Sequence, residues 1–151
     1  MQNIPLITQV QRILNSFRHW TGRELLSDRT DPQNDMDQLF EAPFVVVSHG
    51  VEVDPLLNYG NRSALSLWEM TWEELIQTPS RLTAEPLSRE ERAGLLALVT
   101  QNGFIENYQG IRISKTGRRF RIEKAIVWNL MDEQGRYAGQ AANFDRWVYV
   151  P

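Results

Sequence analysis

The last third of the sequence, residues 104–150, most constrains the fold. Three segments rich in β-branched and aromatic residues are separated by the glycine-containing turns KTG and EQG; the segments are FIENYQGIRIS, RRFRIEKAIVWNLMD and YAGQAANFDRWVYV. Such an order predicts an antiparallel meander of three strands. Gly110 predicts a break or bulge in the first strand. In the second strand the apolar residues fall at even-numbered positions, which predicts a single apolar face. These residues are Phe120, Ile122, Ile126, Trp128 and Leu130.

Two shorter strands are predicted upstream, at residues 44–50 (FVVVSHG) and 55–59. Asn61 then predicts the N-cap of a short helix, because its side-chain oxygen can accept from free amides of the next turn. Thr71 and Glu74 fit a capping box that predicts a second short helix.

Two more helix starts are predicted from capping residues. Ser88 with Glu91 predicts a longer helix that ends at Asn102-Gly103. One face of this helix carries Arg92, Leu95, Leu96 and Val99. Asn34 with Asp37 predicts a short helix between a polar connector and the first strand.

The N-terminal segment predicts an amphipathic helix that ends near Gly22. Its apolar stripe consists of Ile7, Val10, Ile13, Leu14 and Phe17. A stripe of this size must be buried, either on the protein's own sheet or on the helix of a second copy. We expect a homodimer, formed through this helix or through the sheet face that it covers.

Composition excludes several classes of function. The chain has 151 residues, a net charge of −3 and no cysteine. It is therefore expected to form one domain without disulfides or thiolate metal sites, and its charge does not favour binding to nucleic acid. Neither a secretory signal nor an apolar run of roughly 18 residues is present, so no membrane association is expected and a cytoplasmic protein is the simplest interpretation.

The order of elements predicts the architecture. Two strands, several short helices, one longer helix and three strands close into a five-stranded antiparallel sheet with helices on one face, an α+β fold. The N-terminal helix flanks this unit. A cavity between sheet and helices is where a small ligand would bind.

The same order resembles that of PAS domains. PLLNYGNRSALSLWEMTWEEL resembles their strand–Asn–helix entry, and GIRISKTGRRFRIEKAIVWNLMDEQGRYAGQAANFD resembles their C-terminal meander. NYGNRSALSLWEMTWEELIQTPSRLTAEP with VWNLMDEQGRYAGQAANFDRW is similar to the MEKHLA domain, which occurs alone in bacteria and at the C-terminus of plant homeodomain-leucine-zipper proteins. The resemblance implies a sensory or interaction module at residues 40–151, preceded by a helix and connector at residues 1–39.

The same resemblance implies where a flavin or haem would bind if this chain held one. Light-sensing members carry Asn, a reactive Cys and Arg on one short helix, where this chain has Pro79, Ser80 and Arg81. A serine hydroxyl cannot form the thiol adduct, so photochemistry is not expected. His19 and His49 lie outside the helix that carries the haem ligand in haem-binding members. His49, after a strand, is interpreted as a turn-capping or surface residue. No cofactor and no metal site is expected.

Binding residues are predicted on the helical wall and on the sheet. The candidates are Trp68, Trp72, Arg81, Tyr108, Lys124, Trp128 and Asn143. The three tryptophans would stack on a planar ligand or else fill the core. Lys124 shares the parity of Ile122 and Ile126 and would face the apolar side, unless a bulge turns it outward.

Binding without catalysis is the function that these observations favour. A small apolar or aromatic ligand, or a signalling partner protein, would change the packing of the N-terminal helix, which would transmit the change. Two alternatives remain. One is a small enzyme acting on an apolar substrate, with Lys124 and His49 as its only candidate acid–base groups. The other is a sensor that binds flavin noncovalently.

Overall fold

The computed structural model describes residues 4–151, apart from the side chains of Pro86 and Leu87. The helices are α1 (Leu6–Thr21), α2 (Pro32–Phe40), α3 (Arg62–Trp68), α4 (Trp72–Leu75) and α5 (Pro86–Asn102). The strands are β1 (Val45–His49), β2 (Leu57–Gly60), β3 (Phe104–Ile113), β4 (Arg119–Met131), β5 (Tyr137–Phe144) and β6 (Arg146–Tyr149). A 3-10 turn, Ser80–Thr83, precedes α5.

One antiparallel sheet organises the molecule, in the order β2-β1-β5-β4-β3. The predicted α+β architecture is therefore confirmed. The sheet has six strands where five were predicted, because the last segment is interrupted at Asp145. Both of its parts, β5 and β6, pair with β4.

A bulge in β4 divides its apolar residues between the two faces of the sheet. Lys124 has a left-handed φ of 52° and is exposed. An extra residue at this point reverses the alternation of side chains. Ile122 therefore packs with α3, whereas Trp128 packs with α1. The prediction of one apolar face along β4 is wrong, and Lys124 takes the outward orientation that the sequence left open.

Helix α1 covers the face of the sheet opposite α3 and α5. It ends where predicted, at Gly22, whose φ of 72° suits glycine. Its stripe is buried within the chain: Val10 and Leu14 join the cluster that contains Trp128. The indole Nε1 of Trp20 also donates to the carbonyl of Asn129 at 2.9 Å. Of the two arrangements considered, the helix lies on its own sheet, so this stripe no longer supports a dimer. The homodimer itself stays a prediction.

Asn61 joins three elements, which explains its position between β2 and α3. Its Oδ1 accepts from the amide of Ala64, as predicted for an N-cap, and also from the amide of Val46. Its Nδ2 donates to the carbonyls of Leu39 and Phe44. All four groups lie at the junction of α2, β1 and α3, so one buried side chain fixes that junction.

The other predicted caps have mixed outcomes. The capping box of Thr71 and Glu74 is confirmed at α4. The capping box of Ser88 is wrong: α5 begins at Pro86, and its N-cap makes no side-chain hydrogen bond. Likewise α2 begins at Pro32, ahead of the predicted start at Asn34. Proline at the first helical position explains both differences, since its fixed φ already suits a helix.

Candidate ligand-binding site

A cavity of about 60 Å³ lies between α5, α3 and the sheet. Its apolar wall includes Val47, Leu57, Leu95, Val127, Ala142 and Phe144. At ~10–15 Å³ for each water-sized group, the cavity has space for roughly four to six such groups. Pockets for cofactors and drug-sized ligands occupy about 300–1,000 Å³, so this cavity matches a much smaller molecule.

Two arginines line the cavity, Arg92 on α5 and Arg112 on β3. Arg112 is 6% exposed and donates to the carbonyl of Ile111 at 2.8 Å. Arg92 donates to the hydroxyl of Ser80 at 3.1 Å. Among residues 4–151, neither guanidinium forms an ion pair with a carboxylate. Burial, together with the charge of Arg112, lowers the pKa of Arg92 to about 10. Arg92 therefore remains cationic at neutral pH, and it lacks a direct counter-charge among the described residues.

Tyr108 holds Arg112 from the side of β3. The guanidinium donates to the Tyr108 hydroxyl at 3.2 Å and lies 5.5 Å from the ring centroid. The same hydroxyl bonds to the exposed carboxylate of Glu91 at 3.1 Å. Gly110 makes this arrangement possible, because a Cβ there would lie 2.3 Å from the Tyr108 hydroxyl. The predicted irregularity of β3 at Gly110 is confirmed and orients this pair.

His49 lines the cavity from the end of β1. It is 7% exposed, so the alternative that it is a surface residue is wrong. Nδ1 lies 3.0 Å from the carbonyl of Gly50 and acts there as the donor, which leaves the lone pair of Nε2 without a partner. Burial lowers the pKa of His49, and the charge of Arg92 adds to this effect. The neutral imidazole therefore offers the cavity one hydrogen-bond acceptor.

Trp68 contributes a second buried polar atom without a partner, its indole Nε1. Two more such atoms, Tyr59 Oη and Trp128 Nε1, belong to the cluster under α1. A missing partner alone therefore does not mark a binding site. Tyr59 also borders a second cleft, of about 340 Å³, so a neighbouring open volume does not mark a binding site either. What distinguishes the cavity is that its two unpartnered groups occur beside two arginines that have no ion-pair partner among residues 4–151.

Two of the seven predicted binding residues, Trp68 and Tyr108, line the cavity. Trp128 lies on the opposite face of the sheet, where its ring centroid is 5.0 Å from that of Phe17. Trp72 packs beside Tyr59 in the same layer, at 6.0 Å. The prediction that all three tryptophans form the cavity wall is therefore wrong for Trp72 and Trp128.

The other three predicted residues lie outside the cavity lining. Arg81 is exposed and pairs with Asp54 at 3.2 Å. Lys124 is exposed at the β4 bulge. The side chain of Asn143 donates to the carbonyl of Val45 and links β5 to β1. The cavity is lined instead by three residues that the sequence did not predict as binding residues: His49, Arg92 and Arg112.

The described residues offer neither a cluster of metal-ligating side chains nor a membrane-spanning helix. Within residues 4–151 there is no group of three His, Cys, Asp or Glu residues placed to hold a metal ion. Nor does any described helix combine the length and apolar character needed to cross a bilayer.

Comparison with known sequences identifies relatives across nearly the whole chain. The family model of the MEKHLA domain matches residues 7–149. The homeobox-leucine zipper protein ATHB-15 of Arabidopsis thaliana is 22% identical over 144 residues, which are 95% of this chain and 17% of ATHB-15. HOX32 of Oryza sativa subsp. indica is 24% identical over 147 residues, which are 95% of this chain and 17% of HOX32. The chain thus spans less than a fifth of the length of these relatives.

Comparison with solved structures shows the PAS-like fold. The PAS domain of a protein from Colwellia psychrerythraea superposes with a TM-score of 0.64 and 16% identity, covering 76% of this chain and 95% of that domain. The light-state dimer of the fungal blue-light photoreceptor Vivid superposes with a TM-score of 0.58 and 12% identity, covering 86% of this chain and 88% of the Vivid chain. The predicted PAS-like architecture is confirmed at this level.

Proposed function

We propose that this chain, which belongs to the MEKHLA domain family, is a sensory or interaction module that binds a small ligand in the cavity and acts without catalysis. The observation that carries the proposal is an open volume of about 60 Å³ bordered by buried polar groups that lack protein partners. Buried polar and charged groups normally have partners, because desolvation without compensation is costly. A ligand would supply them.

Transmission of binding would run through the sheet to α1. Gln140 lines the cavity and donates to Asn129 Oδ1 at 3.1 Å. The backbone carbonyl of Asn129 in turn accepts from Trp20 on α1. Gln9 on α1 also bonds to Ser48, the neighbour of His49, at 3.1 Å. Movement of β1, β4 or β5 around a ligand would therefore be coupled to the position of α1.

The receiver of this signal would be another protein or a second copy of this chain. The photoreceptor Vivid, whose fold this chain shares, forms a dimer in its light state. By analogy, a homodimer would transmit a change in α1 from one copy of this chain to the other. Sedimentation over a concentration series tests it: a dimer would support the proposal, and a monomer at high micromolar concentration would contradict it.

The ligand-binding proposal is tested by mass spectrometry of what the purified protein releases on denaturation, and by thermal unfolding in a small-molecule library. Ala142→Leu extends an apolar side chain into the cavity and should abolish stabilisation by any ligand bound there. Lys124→Ala, at the exposed bulge, is the matched control and should leave it unchanged. Stabilisation that survives in Ala142→Leu, or a library with no stabilising compound and no released molecule, would contradict the proposal.

A catalytic alternative would rest on His49 alone, because Lys124 faces outward. The unpartnered Nε2 of a neutral imidazole is a competent general base. A substrate consumed by the protein, with turnover lost in His49→Gln while binding persists, would favour this alternative. Noncovalent flavin binding does not agree with a cavity of about 60 Å³, because pockets for cofactors are several times larger. A yellow colour of the purified protein would favour flavin binding nevertheless.

A further inference from the structure

Two neighbouring guanidinium groups border a cavity that is otherwise mostly apolar. The desolvation of a cation at an apolar wall is normally offset by an anion, and a desolvated charge without one is unfavourable. Here the acceptors for Arg92 and Arg112 are a serine hydroxyl, a backbone carbonyl and a tyrosine hydroxyl. Within residues 4–151 no carboxylate compensates their charges directly. The planar guanidinium group of an arginine can donate two parallel hydrogen bonds to a carboxylate, so a ligand with such a group would fit here.

We propose that the cavity binds a short aliphatic monocarboxylate, with its carboxylate between Arg92 and Arg112 and its chain against Leu95 and Val127. This inference rests on the proposed ligand-binding function and names the class of ligand. The volume of about 60 Å³ limits the ligand to the size of propionate or butyrate. The apolar walls bury its hydrocarbon part.

The rest of the lining excludes a second negative charge. Among the described residues, Arg92 and Arg112 are the only cationic side chains that border the cavity. The imidazole of His49, which also borders it, presents a lone pair and would repel another carboxylate. A dicarboxylate would therefore leave one charge unpaired among apolar groups, which is unfavourable. A hydroxyl on the ligand could instead donate to Nε2 of His49.

The direct test compares butyrate with butyramide, its neutral counterpart of nearly equal size, by isothermal titration calorimetry. Butyrate should bind at least ~tenfold more tightly, because charge-assisted hydrogen bonds to guanidinium are lost in the amide. Equal binding of both compounds, blocked by Ala142→Leu, would overturn the monocarboxylate while the cavity remains a ligand site. If neither butyrate nor butyramide binds, the monocarboxylate proposal is also overturned. The thermal-unfolding screen of the small-molecule library then tests separately whether the cavity binds any ligand.

Arginine variants separate binding from folding. Arg112→Gln and Arg92→Gln should each weaken butyrate binding at least ~tenfold. The melting temperature of each unliganded variant should stay unchanged or rise, because a charge without an ion-pair partner has been removed from a mostly apolar cavity wall. Variants that melt lower yet bind butyrate normally would show that the arginines are structural. Arg81→Gln, at an exposed ion pair, is the control and should change neither quantity.

Inorganic phosphate distinguishes recognition of a carboxylate from attraction of any anion. It carries charge but no hydrocarbon, so it should compete with butyrate only weakly. Competition by phosphate at concentrations equal to those of butyrate would overturn the assignment of a monocarboxylate.

Discussion

Buried charge is treated differently on the two sides of the sheet. In the layer of α1 and α2, the carboxylate of Asp35 is 2% exposed and accepts from Gln11, Arg29 and the amide of Thr30. In the layer of α5, the guanidinium of Arg112 is similarly buried but has only neutral acceptors. The charge of Asp35 is thus satisfied within the fold. The guanidinium of Arg112 has no anionic partner among the described residues and could bind an anionic ligand.

Packing differs between the same two layers. Under α1, the Trp128 ring is fully buried and meets Phe17 edge to face at 5.0 Å. Under α5, Leu95 and Val127 border an open volume of about 60 Å³. Protein interiors are normally packed without such space. The α1 layer also has a cleft of about 340 Å³, which Tyr59 borders, so the contrast concerns the close contact of Trp128 and not the whole layer. On the proposed function, the α5 layer is the side that binds a ligand.

The largest effect that would sharpen this comparison is expected at Trp128. Trp128→Ala should lower the free energy of unfolding by about 3–5 kcal/mol, because it opens a large void in a packed layer. Chemical denaturation measures this loss. The milder Trp128→Phe should stay folded and bind butyrate as the unchanged chain does. Weakened binding in Trp128→Phe with little loss of stability would contradict the division between layers.

A smaller effect is expected at the paired charge of the α1 layer. Asp35→Asn should cost about 2–3 kcal/mol, because hydrogen bonds to a buried carboxylate are weakened and Arg29 loses the nearer of its two ion-pair partners. Burial acts to raise the pKa of Asp35, but hydrogen bonds from Gln11 and Arg29 outweigh it and lower the pKa overall. The carboxylate therefore stabilises the fold above its unfolded pKa of about 3.9, and this contribution is lost as pH falls below that value.

Denaturation at pH 7 and at pH 3 checks this prediction. The difference between the unchanged chain and Asp35→Asn should shrink at the lower pH. Asp37→Asn, at an exposed position of the same helix, is the control and should cost little at either pH. A cost of Asp35→Asn that does not depend on pH would mean that shape rather than charge is responsible.

The smallest effect is expected at His49 in the α5 layer. Burial lowers its folded pKa, so below the unfolded value of about 6.5 the unfolded chain binds the proton more strongly. Stability should therefore fall as pH decreases from about 6.5 toward the folded pKa, by about 1.4 kcal/mol for each unit between the two values. His49→Gln should flatten this part of the curve. An unchanged slope in His49→Gln would contradict a neutral, buried imidazole.

Much of the fold could be predicted because its signals are local. Asn61, the capping box of Thr71 with Glu74, and the helix ends at Gly22 and Gly103 each depend on a few neighbouring residues. The bulge at Lys124 could not be predicted in this way. No glycine marks it, and it lies where the strand paired with one edge of β4 changes from β6 to β5, which depends on residues far along the chain.

The cavity residues were harder to predict, because they come from distant parts of the chain. His49, Arg92 and Arg112 lie on β1, α5 and β3 and meet only after the sheet closes. Signals existed for two of them. Arg92 shares a helix face with Leu95, and Arg112 shares the strand parity of Tyr108. A charged residue on a predicted apolar helix face is thus informative, whereas the same signal on β4 indicated a residue that the bulge turns outward.

The most direct test follows the indole Nε1–H resonances of Trp68 and Trp128 by ¹H–¹⁵N NMR during titration with butyrate. Both atoms are buried without partners, one at the cavity and one under α1, so they are matched probes of the two layers. Assignment uses Trp68→Phe and Trp128→Phe. The Trp68 resonance should shift in a saturable manner while that of Trp128 moves much less. A dominant shift at Trp128, or saturable binding that leaves Trp68 unmoved, would contradict the assignment of ligand binding to the α5 layer.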